Sequence, residues 1–127
     1  MRDAPVSPEP GAEQLTIAVL PSDAGEPAQL RAAGELDVES APGLRAAIEQ
    51  SVASGATVVE LDLSGIEFID STGISVLLAA RELLAGVGTL VLAARSGVVD
   101  RALELTGLSE LFARQTARDP DAAGQER

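Results

Sequence analysis

Apolar and small residues alternate over Leu15–Leu20, and a shorter strand-like run follows from Gln29 to Ala33, with Pro21-Ser22-Asp23-Ala24-Gly25 between them. A period of two broken by turn residues predicts two strands paired as a hairpin. Gly34-Glu35-Leu36-Asp37 is then expected to leave the sheet. From Ser40 the period changes. Ala41, Leu44, Ala47, Ile48 and Val52 recur every three or four residues, which predicts a helix with one apolar face. Ser40 is its expected N-cap, and Pro42 falls in the first turn, where a missing N–H does no harm. Gly55 is expected to end this helix.

Thr57–Leu63 is the strongest strand pattern, with Val59, Leu61 and Leu63 alternating against Val58, Glu60 and Asp62. Ser64–Asp70 reads as a loop. A second helix follows, closed by Gly86-Val87-Gly88. On a wheel centred on Leu77, its buried side holds Gly73, Ile74, Ala80 and Leu84. Thr72, Ser75, Ala79, Glu82 and Gly86 fall opposite, a strip of mostly small residues that would let a partner's backbone come close. Arg81 falls near the inward side and is expected to snorkel to solvent. Thr89–Ala94 is another apolar strand. Ser96 is expected to cap a third helix that turns Val98, Val99, Ala102, Leu103 and Leu105 inward and stops at Gly107. Ser109–Thr116, with Leu111 and Phe112, reads as a turn of helix, an edge strand, or one followed by the other.

Strands alternating with helices after a hairpin predict an α/β fold. Right-handed crossovers make the later strands parallel. The expected architecture is a single domain with a mixed sheet of four to five strands and flanking helices. Residues 1–13, rich in Pro, Glu and Ala, read as a flexible leader. The domain is expected over 14–117, and 118–127 reads as a disordered tail.

Composition narrows the chemistry. The 127 residues are 46% hydrophobic but only 2% aromatic, so Leu, Val, Ile and Ala must fill the core. No His, Lys, Cys, Tyr, Trp or Asn occurs. A Ser-His-Asp triad, ordinary zinc or haem ligation, a Walker A loop and a Schiff-base lysine are therefore unavailable. These absences point away from an enzyme, and no cofactor is expected. The net charge of −11 argues against nucleic acid and anionic membrane surfaces, and favours a partner with a basic face. Met1–Pro10 lacks an apolar signal core and no run is long enough to span a membrane, so the expected location is cytoplasmic.

The chemistry-bearing segment is Asp70-Ser71-Thr72-Gly73, where a strand gives way to a helix. The first backbone N–H groups of a helix lack partners, and its dipole favours negative charge there. A phosphate on Ser71 is expected to be partly accommodated by those groups. Asp70 adjoins it. Asp37 is expected nearby, because both sit in loops at helix starts on one edge of a parallel sheet. A phosphoryl group adds about −1.5 to −2 charges, which would repel whatever had docked on this surface. The same four residues would also serve as a helix cap and nothing more. Glu60, Asp62 and Asp70 suggest a carboxylate metal site, but with no evident third ligand on the strand face a solvated end or edge is the expectation, and no metal is assigned.

Three segments together resemble a known family. Gly34-Glu35-Leu36-Asp37-Val38-Glu39-Ser40-Ala41-Pro42 is similar to the entry into the first helix of STAS-domain anti-sigma factor antagonists. Phe68-Ile69-Asp70-Ser71-Thr72-Gly73-Ile74 resembles their phosphorylation loop, and Leu105-Thr106-Gly107-Leu108 a third recurring element. The resemblance spans roughly residues 14–116. It implies partner switching: the unphosphorylated antagonist holds an anti-sigma factor that is also a serine kinase, which frees the sigma factor. Phosphorylation of the antagonist then ends the contact, and a PP2C-type phosphatase resets it. Carried over, Ser71 is the phosphoacceptor and Thr72 the second choice. Asp37, Asp70, Ser71, Thr72, Gly73, Ser75 and Ala79 form the docking surface. Ser75 and Ala79 stand where family members often have Gly, and Arg81 where an apolar or aromatic residue is usual. An alternative within the same resemblance is a STAS interaction subunit of a transporter or other regulatory complex that is never phosphorylated.

Overall fold

The computed structural model describes residues 14–23 and 25–112. The leader 1–13, the tail 118–127 and residues 113–117 lie outside the described residues. The elements in chain order are β1 (Leu15–Leu20), β2 (Ala28–Leu36), α1 (Ala41–Ala53), β3 (Val58–Ile69), α2 (Ser71–Leu84), β4 (Thr89–Arg95), α3 (Gly97–Leu105) and α4 (Ser109–Phe112). The last segment is thus a turn of helix as far as Phe112, which is buried. The strands form one sheet in the order β1-β2-β3-β4. β1 pairs antiparallel with β2, and β2, β3 and β4 run parallel.

Both crossovers step the same way across the sheet, so right-handed connections place α1 and α2 on one face. There they pack on each other. Val99, Leu103 and Phe112 share that core with Leu61, Leu63, Leu90 and Leu92, which puts α3 and α4 on the same side. Val91 alternates to the other face and is buried outside this core. Within α2, Val76 is buried beside Leu77. In α3 only Val99 and Leu103 are buried. Val98 and Leu105 were expected inward but are 40% and 74% exposed, because a nine-residue helix turns a single narrow stripe toward the sheet.

The larger correction concerns β2 and β3. Gly34–Leu36 stays in the sheet, and Ser64–Ile69, expected as a loop, continues β3. Two bulges hide the strand. Arg31 pairs with Asp62 but Ala33 with Gly65, so Ser64 is an extra residue; Gly34 pairs with Ile66 but Glu35 with Phe68, so Glu67 is another. Each insertion resets the alternation that would have marked a strand. The Ser64 bulge is held by Asp62, whose Oδ1 accepts from Ser64 N at 2.9 Å and from its hydroxyl at 2.7 Å. Burial pushes the Asp62 pKa up, but the Ser64 hydroxyl and N–H, with Arg31 beside them, outweigh this and leave it below the ordinary value. Gly34 sits at φ +114°, and a Cβ there would lie 2.0 Å from the Gln14 carbonyl oxygen, so only glycine lets β1 start so close to β2.

Candidate functional site

The ends of β2 and β3 build the site. Leu36 and Ile69 are register partners, and Asp70 N–H donates to the Leu36 carbonyl at 3.3 Å. The next residues along each chain are Asp37 and Asp70, so the two carboxylates leave neighbouring strands at the same edge. Asp70 is the N-cap of α2, with extended backbone. Its Oδ1 accepts from Thr72 N at 2.9 Å and Gly73 N at 3.1 Å. Two of the first-turn amides expected to accommodate a phosphate are therefore already taken by a carboxylate. Negative charge added at Ser71 meets Asp70 and finds those two N–H groups engaged.

Asp37 holds a turn instead of a helix. Its Oδ1 accepts from Glu39 N at 3.0 Å and Ser40 N at 3.1 Å. Ser40, expected as the side-chain cap of α1, makes no cap hydrogen bond. Its buried hydroxyl donates to the Glu35 carbonyl at 2.7 Å and accepts from Asp37 N at 3.0 Å. It locks the turn after β2, which a cap reading of the sequence had no reason to suggest. Gln14 closes the other side: with its amide nitrogen turned to the carboxylate, it donates to Asp37 Oδ2 at 2.8 Å and Oδ1 at 3.1 Å. Nothing in the sequence pattern signalled Gln14, because the contact depends on the antiparallel pairing of β1.

Ser71 and Ser75 are exposed, and Thr72 and Ala79 are half-buried. Gly73 is buried, and a Cβ there would meet Ile69 Cγ1 at 2.7 Å and Leu36 Cγ and carbonyl oxygen at 2.9 Å. The wheel puts it on the buried side of α2 and the family resemblance on the docking surface; it is buried, drawing the start of α2 down onto the strand ends. The exposed Ser71 hydroxyl has no imidazole beside it, since the chain contains no His.

The remaining carboxylates go separate ways. Glu60 was expected at a solvated position, yet it is only 8% exposed and accepts from Gln29 Nε2 at 3.0 Å. Asp62 serves its bulge and Asp70 its helix. Among the described residues no group of three potential ligands could hold a metal ion. Nor is any helix there long and apolar enough to cross a membrane.

The model of the family described as "Mlab, STAS domain" matches residues 19–113. The anti-sigma-F factor antagonist RsfB of Mycobacterium tuberculosis is 34% identical over 97 residues, covering 76% of this chain and 80% of the relative. The chain belongs to the STAS-domain anti-sigma factor antagonists. An anti-sigma-B factor antagonist of Listeria monocytogenes is 35% identical to this STAS chain over 81 residues, covering 63% of it and 71% of the relative. The crystal structure of an anti-sigma factor antagonist from Mycobacterium paratuberculosis superposes with a TM-score of 0.66 at 32% identity, over 82% of this chain and 86% of that one. Bacillus SpoIIAA in its phosphorylated form shares the fold, with a TM-score of 0.61 at 23% identity, over 88% of this chain and 100% of that one. The mixed four-stranded sheet with flanking helices is thus the STAS architecture.

Proposed function

We propose that this chain is an anti-sigma factor antagonist that holds an anti-sigma factor with serine kinase activity and lets go when that kinase phosphorylates Ser71. The observation that carries this reading is an exposed hydroxyl at the first position of α2, one residue from a capping carboxylate and at the same strand edge as a second. Phosphorylation brings a near-dianion against Asp70, whose favourable amides are already engaged, so the modified surface repels what had docked. No refolding is required. A PP2C-type phosphatase restores the hydroxyl. The chain performs no catalysis itself; ATP and metal belong to its partners. It works in the cytoplasm, where sigma factors act, and binds neither nucleic acid nor membrane.

Intact mass after incubation with the anti-sigma kinase and ATP tests this. Wild type gains one phosphate and Ser71→Ala gains none. Equal modification of Ser71→Ala would move the site to Thr72. An unmodified wild type that still binds its partner would instead indicate the docking subunit that is never phosphorylated.

A further inference from the structure

The strand edge that carries Ser71 also exposes two apolar side chains. Phe68 is 47% exposed and Val38 65%. Phe68 is one of two phenylalanines in a chain that is 2% aromatic; the other, Phe112, is fully buried. Its exposure follows from the strand's geometry. Ile66 is buried, and strict alternation would turn Phe68 inward with it. The extra residue Glu67 resets the phase, so that Phe68 pairs with Glu35 on the outer face while Ile69 pairs with Leu36 on the inner one. Bulges re-aim side chains in this way beside functional sites. Val38 lies in the turn that Asp37 and Ser40 hold.

The segments that carry this pair hold charges of one sign. Residues 32–44 and 64–80 contain Glu35, Asp37, Glu39, Glu67 and Asp70 and not one Arg or Lys. Resting on the function proposed above, we infer that Phe68 and Val38 are the apolar anchors of the docking surface, and that they fit a protein face with an apolar pocket rimmed by Arg or Lys. Aromatic side chains at the centre of an interface carry most of its energy, while a charged rim governs encounter and partner choice. Anchor and switch are then separate: Phe68 and Val38 supply affinity, and Ser71 decides whether it is realised.

The test titrates the purified anti-sigma kinase with wild type, Phe68→Ser, Val38→Ser and, as a control, Leu105→Ser at the 74%-exposed end of α3. Phe68→Ser is expected to bind at least about tenfold more weakly, Val38→Ser several-fold more weakly, and Leu105→Ser like wild type. Urea midpoints of Val38→Ser and Leu105→Ser should match wild type, because both side chains are mostly exposed; that of Phe68→Ser, 47% exposed, is measured so that binding is compared on folded protein. In kinase assays, KM for Phe68→Ser should rise while kcat holds. If wild type binds and Phe68→Ser and Val38→Ser bind equally well, the anchors are refuted and the functional reading stands. If wild type itself binds no anti-sigma kinase, that reading fails and the anchors fall with it.

Discussion

At the scale of single residues, two positions fix where the Ser71 hydroxyl stands. Asp70 satisfies two amides that the first turn of α2 would otherwise leave open. Asp70→Ala removes that cap and should lower stability by about 1 kcal/mol, read from urea unfolding; Asp70→Asn, which keeps an acceptor, should lose less. Gly73 acts by having no side chain. A methyl group there would run into Leu36 and Ile69, and one of the opposing atoms is backbone that cannot rotate away. Gly73→Ala should therefore cost about 1–3 kcal/mol and push the start of α2 off the strand ends. If α2 shifts, the proposed phosphorylation at Ser71 should slow even at temperatures where the variant remains folded, a result that kinase assays on the folded fraction will show. An undiminished rate would mean that the kinase does not read the position of this helix.

At the scale of elements, the instructive case is β3. Its first half was legible because Val59, Leu61 and Leu63 keep a period of two and their side chains point to the core. Its second half was not, since Ser64 and Glu67 each shift the phase by one, and a strand interrupted twice in six residues has the polarity pattern of a loop. The helices were legible from their apolar stripes, and so was the position of Ser71. Hidden were the contacts that need strand pairing to exist: Gln14 and Ser40 on Asp37, and the outward turn of Phe68. The Ser64 bulge also has a chemical signature. The folded pKa of Asp62 lies below its ordinary value of 3.8, so its stabilising effect is fully present above that value and disappears as pH falls through the lowered one. The gap in urea midpoint between wild type and Asp62→Asn should stay constant from about pH 7 to pH 5 and close below about pH 4. Arg31, 3.5 Å from the carboxylate and largely exposed, should matter much less, so Arg31→Ala should barely change the midpoint.

At the scale of the whole molecule, the charge of −11 is not a uniform coat. Arg31, Arg45 and Arg95 each meet a carboxylate, of Asp62, Glu49 and Asp100. Among the described residues Glu35, Asp37, Glu39, Glu67 and Asp70 form no ion pair, and residues 32–44 and 64–80 hold no basic residue. A field of one sign steers a basic partner from beyond contact distance, and salt screens it over about 10 Å at 0.1 M. Raising ionic strength from about 0.05 to 0.5 M should therefore slow association with the proposed anti-sigma kinase by about tenfold or more, while dissociation, governed by the inferred apolar anchors, should change little. Stopped-flow association and dissociation measured at each salt concentration separate the two. The two substitutions should then diverge. Phe68→Ser should speed dissociation and keep the salt dependence of association, whereas Asp37→Asn should flatten that dependence. Should dissociation carry the salt effect instead, the carboxylates are buried partners in the complex and not a steering rim.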